Sequence, residues 1–109
     1  MLYIYLINGI DFKMLKDQTY CDITVVIPTY NSEKFIYETI MSVINQKLKP
    51  MEIIIIDDHS SDNTIDVIEA IFQKDNITNY TIYRQKKLGP GAARNKGIKE
   101  AKTKWISFL

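Results

Sequence analysis

Three short polar segments contain the residues of this 109-residue chain that could do chemistry. They are Pro28-Thr29-Tyr30-Asn31, the adjacent carboxylates Asp57 and Asp58, and the segment 89–95. Each follows a stretch that has the length and pattern of a strand. An acid at the end of a strand can accept a hydrogen bond from a ribose hydroxyl or a base N–H, and a tyrosine ring offers an apolar surface to a base. The combination predicts a nucleoside site.

Each of these residues also has a structural explanation. Pro28 could merely end a strand, and Tyr30 could be a packing residue. Asp57 and Asp58 could cap the helix that follows them. Arg94 could pair with a carboxylate at a helix end instead of a phosphate. The residues alone leave these alternatives open.

Composition and missing motifs exclude several classes of function. Fourteen basic against thirteen acidic residues give a formal charge of +1, so no nucleic-acid partner is expected. Cys21 is the single cysteine, so an intrachain disulfide is excluded, which agrees with a cytoplasmic location. Cys21 itself is expected to be a small packing residue. No Gly-x-Gly-x-x-Gly follows the first strand and no Walker-type Gly-Lys-Ser/Thr occurs, so NAD binding and ATP hydrolysis rank low.

Patterns of strand and helix alternate along the segments that must position the polar residues. Two β-branched runs, Ile23–Ile27 and Ile53–Ile56, predict parallel strands that are covered on both faces. We expect Pro28 to stop the first run and Pro50 to mark the end of the helix between them. Apolar residues recur at helical spacing over 35–44 and 65–72. Expected N-caps are Asn31 or Ser32 for the first helix and Ser61 or Asp62 for the second.

The rest of the chain continues this alternation. Tyr80 and Ile82 belong to a third predicted strand, the small residues of 91–93 suit a helix packed closely on its neighbours, and Trp105–Leu109 is a fourth strand. This βαβαβαβ order with short connections predicts an α/β fold with a mostly parallel sheet and right-handed crossovers. Ligands of such sheets bind beyond the carboxyl ends of the strands.

The amino-terminal stretch is expected to stand apart from this domain. Its apolar start, Met1–Ile7, is much shorter than the roughly 20 residues of a membrane-spanning helix, so no transmembrane segment is predicted. We assign residues 1–21 to a leader, ordered or disordered, or to an extra strand. Residues 22–109 are assigned to one partial domain.

Three motifs give the chain a resemblance to a known family: Val25–Asn31, Ile55–Asp62 with Thr64, and Gly89–Gly97. In order, spacing and strand context they resemble the three successive amino-terminal motifs of family 2 glycosyltransferases. The resemblance covers roughly Asp22–Leu109. It implies an incomplete GT-A fold, that is, its Rossmann-like nucleotide-binding half. It also implies an inverting, hexosyl-type enzyme of polysaccharide biosynthesis that uses a nucleotide-sugar donor, most often a UDP-sugar, and a glycan or lipid-linked acceptor.

The resemblance also assigns roles to single residues. Thr29 and Tyr30 would line the base and ribose pocket, and Asp58 would accept a hydrogen bond from the uracil N3–H. Asp57 would support that loop or the nucleoside. Arg94 would lie near the diphosphate or stabilise the adjoining loop. The implied nucleotide-binding set is Pro28, Thr29, Tyr30, Asn31, Asp57, Asp58 and Arg94.

The chain departs from the family pattern in three ways. Asp58-His59-Ser60 stands where Asp-Gly-Ser is common, and Lys87 stands where the family frequently has Asn. His59 is assigned to an exposed loop and not to catalysis. The Asp-x-Asp motif that binds Mg²⁺ or Mn²⁺, and the base that activates the acceptor, would lie beyond Leu109.

No catalytic or metal-binding residue is therefore assigned within these 109 residues, and the chain alone is expected to show little or no sugar transfer. The full-length enzyme would be cytoplasmic, with membrane association left open. Two alternatives stand beside this hypothesis. One is a non-catalytic nucleotide-binding or interaction module, and the other is a non-functional product of a truncated gene.

Overall fold

The computed structural model of the chain describes residues 3–4 and 20–109. Within them, strands and helices alternate as predicted. The strands are β1 (Tyr3–Ile4), β2 (Tyr20–Thr29), β3 (Lys49–Asp57), β4 (Tyr80–Arg84) and β5 (Trp105–Phe108). The helices are α1 (Ile36–Ile44), α2 (Thr64–Lys74) and α3 (Pro90–Glu100).

The strands form one sheet in the order β1-β5-β2-β3-β4. β2 pairs in parallel with both β3 and β5, and β3 pairs in parallel with β4. Only β1 among these strands runs antiparallel, against β5. The predicted α/β fold with a mostly parallel sheet is confirmed, and the carboxyl ends of β2, β3 and β4 lie at one edge.

The sheet is covered on both faces, which explains the uninterrupted apolar runs in its central strands. On one face, Val25 and Ile55 belong to a buried cluster with the apolar sides of α1 and α2. On the other, Val26 and Ile54 pack with Ala93 of α3. Successive residues of a strand point to opposite faces, so a strand between two layers of helices needs apolar residues throughout.

The contact between α3 and β2 depends on a glycine. A Cβ atom placed on Gly97 would overlap the Cγ1 atom of Val26 and lie 2.9 Å from its Cγ2 atom. No other residue type fits there unless the helix or the Val26 side chain moves. The prediction that small residues let this helix pack closely is confirmed, although the tightest approach involves Gly97 and not the 91–93 segment.

Both proline predictions were wrong. Pro28 lies within β2, paired with Ile56, and Pro50 lies within β3. The pairing of β2 with β5 ends at Val26, so one side of β2 has no strand partner at Pro28. A proline without an N–H is tolerated at such a position.

The capping predictions were also wrong. The N-caps are Phe35 for α1 and Asn63 for α2, and neither makes a side-chain capping bond. Asp62 is the residue before the N-cap of α2, and its Oδ1 atom accepts the Thr64 N–H at 3.0 Å. The expected cap Asn31 instead bonds to another loop.

The assignment of residues 1–21 falls largely outside the described residues. Tyr3 pairs with Phe108, and Ile4 with Ser107; β2 begins at Tyr20. Cys21 is buried, and its thiol donates to the Lys49 carbonyl oxygen at 3.3 Å, as suits a packing residue. Over the described part of the chain, no helix has the length and apolar character needed to cross a membrane.

Candidate functional site

The three loops that follow β2, β3 and β4 meet at the carboxyl edge of the sheet. The Asp58 N–H donates to the Thr29 carbonyl oxygen at 2.9 Å, and the Gln85 N–H donates to the Asp57 carbonyl oxygen at the same distance. These bonds extend the strand ladder into the loops. The structure thereby brings together Thr29, Asp57 and Asp58 with the residues beside them, at the place where ligands of parallel sheets bind.

Asp57 is fully buried and organises the loop after β3. Its Oδ1 atom accepts the Thr29 hydroxyl at 3.0 Å and the Ser60 hydroxyl at 2.6 Å. Its Oδ2 atom accepts the Ser60 N–H at 2.8 Å and lies 3.8 Å from the Nε atom of Arg84. Arg84 also donates to the Ser60 carbonyl oxygen at 2.8 Å. A carboxylate so enclosed supports the loop and has no open surface for a ligand.

Asp58 is held differently, by donors of the loop that follows β4. Its Oδ1 atom accepts the Gln85 amide at 3.0 Å and the Leu88 N–H at 2.8 Å, and its Oδ2 atom accepts the Gly89 N–H at 3.1 Å. The side chain is 8% exposed. A carboxylate has about four acceptor positions, so three are taken and one remains, on Oδ2.

The same donors favour the ionised form of Asp58. The Gln85 amide, then the Leu88 and Gly89 N–H groups and the positive charge of Lys87, hold the pKa of the Asp58 carboxyl below its ordinary value, although burial opposes them. Hydrogen bonds to a charged carboxylate stabilise that form. Asp58 is therefore a fixed negative charge at the rim.

Tyr30 provides an exposed aromatic surface on the loop after β2. Its side chain is 44% exposed, and the Nζ atom of Lys87 lies 5.1 Å from the centre of its ring. This contact is a cation–π interaction between the loops after β2 and β4. The ring and the Asp58 carboxylate are thus linked through the same loop, because Lys87 lies between Gln85 and Leu88.

Asn31 joins the loops after β2 and β3. It has a left-handed backbone with φ of +45°, which asparagine tolerates better than most residues. Its Oδ1 atom accepts the Ser61 N–H at 2.8 Å, and its own N–H donates to the Ser60 hydroxyl at 2.9 Å. A further bond runs from the Ser32 N–H to the Thr64 hydroxyl at 2.8 Å. In the structure, Asn31 fixes one loop against the other.

His59 occupies a backbone conformation that favours glycine. Its φ is +63°, and the residue is exposed. The departure from Asp-Gly-Ser noted in the sequence therefore falls at a position where a Cβ atom is unfavourable. The expectation that His59 is an exposed loop residue is confirmed.

Arg94 is exposed on α3. Within residues 20–109 its guanidinium forms neither a hydrogen bond nor an ion pair, so the alternative of a helix-end carboxylate partner is not realised there. Pro28 lies in β2, half-buried. The structure does not bring either residue into contact with Asp58.

The side chains that the structure describes do not form a site for a divalent cation. In the part of the chain that the structure describes, no three His, Cys, Asp or Glu residues are grouped so that they could hold a metal ion. The donor set for the Mg²⁺ or Mn²⁺ that the resemblance implies is not assembled by these residues. No chemical step through a cation is therefore derived from them.

Two residues of the site were missed by the sequence reasoning. Arg84 closes over Asp57, and Gln85 binds Asp58. A signal was available, because both are polar residues at the carboxyl end of a predicted strand, where the other site residues were sought. Their partners lie 24 to 27 residues earlier in the chain, and no local pattern identifies such pairs.

Comparison with known sequences agrees with this geometry. Residues 24–109 match the sequence family described as Glycosyl transferase family 2. A GalNAc(5)-diNAcBac-PP-undecaprenol beta-1,3-glucosyltransferase of Campylobacter jejuni is 33% identical over 87 residues, which make up 80% of this chain and 28% of that protein. The chain spans about a third or less of the length of the curated relatives that it matches.

Solved structures share the fold. S. aureus TarS in complex with UDP superposes with a TM-score of 0.69 at 33% identity, over 80% of this chain and 26% of that chain. A Pyrobaculum calidifontis mannosyltransferase in complex with GDP-Man and Mn²⁺ has the same TM-score at 23% identity, over 78% of this chain and 26% of its own. At that lower identity, the likeness concerns the fold alone.

Proposed function

Because this chain belongs to glycosyl transferase family 2, we propose that it binds the nucleotide of a nucleotide-sugar donor, a UDP-sugar in the first instance. The observation that carries the proposal is the Asp58 carboxylate, which its donors keep ionised, in the same group of loops as the exposed ring of Tyr30, which Lys87 contacts. The UDP bound to a relative of the same fold at 33% identity supports the choice of nucleotide.

In this proposal the site residues divide into those that touch the nucleotide and those that hold them. Asp58 accepts the imide N–H of uracil, and Tyr30 and Thr29 line the base and ribose pocket. Asp57, fully buried, supports the loop. Pro28 and Asn31 shape the loop after β2. Arg94, with no partner among the described side chains, binds the diphosphate.

The complete enzyme would transfer a sugar with inversion to a glycan or lipid-linked acceptor, in polysaccharide biosynthesis. The name of the C. jejuni relative, which includes a lipid-linked undecaprenol acceptor, supports the acceptor class. Mg²⁺ or Mn²⁺ would supply charge neutralisation at the diphosphate. Since the described residues do not assemble its ligands, we expect this chain alone to bind nucleotide with little or no transfer. A cytoplasmic location belongs to the same proposal.

The test is UDP binding by the full chain and by an Asp58→Asn variant, measured by isothermal titration calorimetry. Asparagine keeps the size of the side chain but replaces the carboxylate, so the affinity for UDP should fall by about tenfold or more. Asp75→Asn is the matched control, because this exposed residue ends α2 and faces no part of the site.

Thermal unfolding of each variant separates a lost contact from a lost fold. UDP binding that survives unchanged in a folded Asp58→Asn variant would contradict the assignment of Asp58. A wild-type chain that is folded and binds neither UDP nor GDP would contradict the proposed function as a whole.

A further inference from the structure

Gln85 contacts both aspartates at the end of β3, Asp57 through its backbone and Asp58 through its carboxylate. It directly follows β4, and its backbone N–H donates to the Asp57 carbonyl oxygen at 2.9 Å. Its side-chain Nε2 atom donates to Asp58 Oδ1 at 3.0 Å and lies 3.4 Å from the Gly89 carbonyl oxygen. The backbone bond fixes where the side chain starts, and the amide bonds fix where it ends. Gln85 therefore has one placement, against Asp58.

This placement decides which acceptor positions of Asp58 stay open. Gln85 and the Leu88 N–H occupy both positions of Oδ1, and the Gly89 N–H occupies one of the two positions of Oδ2. The Gly89 N–H is itself fixed, because Gly89 has φ of +93° and is the N-cap of α3. Since every donor belongs to an ordered loop, the carboxylate can accept one more N–H and no second.

Nucleobases differ in how many N–H groups they present side by side. A uracil ring has one imide N–H between two carbonyl groups. Guanine has a ring N–H next to an exocyclic amine, and a carboxylate binds that pair only with an open position on each oxygen. If Oδ1 is filled, one of the two guanine donors is left buried without a partner, which is unfavourable.

We infer that Gln85 is a positioning residue that sets base selectivity: by occupying Oδ1 of Asp58, it restricts the site to a base with a single N–H, such as uracil, and disfavours guanine. The inference rests on the proposed nucleotide site and deepens it by naming the residue that selects the base. Gln85 acts through Asp58 and does not itself contact the nucleotide.

A second consequence concerns pH. The bond from Gln85 is the foremost reason that the pKa of Asp58 lies below its ordinary value, and the ionised carboxylate is the form that accepts an N–H. Loss of that bond raises the pKa of Asp58. As the pH is lowered, UDP binding should therefore begin to weaken at a higher pH in a variant without this bond than in the wild type. A purely structural defect would weaken binding equally at every pH.

The experiment compares the full chain with Gln85→Met, which keeps the length of the side chain and removes the amide. UDP and GDP affinities are measured from pH 7 downward, with Gln73→Met as the matched control, because Gln73 is exposed near the end of α2. Gln85→Glu is the second variant. Its carboxylate repels Asp58, so UDP binding should be lost at a higher pH than in Gln85→Met. Unfolding curves verify that each variant is folded.

The wild type should bind UDP at least about tenfold more tightly than GDP. Gln85→Met should reduce the ratio of UDP to GDP affinity. It should also raise the pH at which UDP binding is lost on acidification (the acid limb), while Gln73→Met changes neither. If UDP binds but both Gln85 variants keep the wild-type ratio and acid limb, the inference is overturned and the proposed function stands. Failure of the folded wild type to bind either nucleotide would instead overturn the proposed function, and the inference with it.

Discussion

Two adjacent carboxylates of the same type do different work because they point to different partners. Asp57 faces inward, where the hydroxyl groups of Thr29 and Ser60 enclose it. Asp58 faces the loop after β4, whose donors leave it one open position. Alternation of side chains along a strand produces this division at the point where β3 ends. A pair of acids is thus one support and one candidate ligand-binding group.

The backbone at His59 provides a prediction at the scale of a single residue. A side chain at φ of +63° is strained by about 1 kcal/mol relative to glycine. His59→Gly should therefore be more stable than His59→Ala by about 1 kcal/mol in urea unfolding. Both variants remove the imidazole, so their difference isolates the Cβ atom. Equal stability of the two variants would show that the loop is not strained at this position.

At the scale of elements, the site depends on how closely α3 packs on the sheet. α3 starts at Pro90, directly after the Gly89 N–H that binds Asp58. Its depth against β2 is set by the contact of Gly97 with Val26. A helix displaced at Gly97 would carry the loop after β4 with it. Packing two turns away is thereby coupled to the geometry of the carboxylate.

Gly97→Ala tests how closely α3 must pack on β2. The added Cβ atom overlaps Val26, so the variant should lose roughly 1–3 kcal/mol of unfolding free energy. Gly91→Ala is the matched control in the same helix, because a Cβ atom there meets nothing within 4 Å; it should gain up to about 1 kcal/mol. The measurement is chemical denaturation of both variants. A Gly97→Ala variant as stable as Gly91→Ala would mean that α3 can move without cost.

Element types were predictable where the local pattern and the packing agree. The run Ile53–Ile56 is apolar at every position because helices cover both sides of β3. Neither expected cap is an N-cap: Asn31 bonds to Ser61, 30 positions away, and Asp62, one residue before the N-cap of α2, bonds to Glu33 as well as to Thr64. Such bonds depend on which loops the sheet brings together. The bonds from Gln85 and Arg84 escaped the sequence reasoning for the same reason.

At the scale of the whole molecule, the sheet has two chemically different ends. The carboxyl end gathers the polar loops, Asp58 and Tyr30. The opposite end has an apolar cavity, lined by residues that include Tyr20, Pro50 and Asn79. We assign the nucleotide to the carboxyl end because the loops after β2, β3 and β4 converge there around Asp58, which its donors keep ionised, and the exposed ring of Tyr30.

The most direct measurement is a titration of the isotope-labelled full chain with UDP, followed by amide NMR. The largest chemical-shift changes should map to residues 29–32, 58–60 and 85–89, with small changes around Tyr20, Pro50 and Asn79. Saturation should give the same affinity at each shifted amide. Shifts confined to the opposite end of the sheet, or no shifts from a folded chain at millimolar UDP, would contradict the central claim that this edge binds the nucleotide.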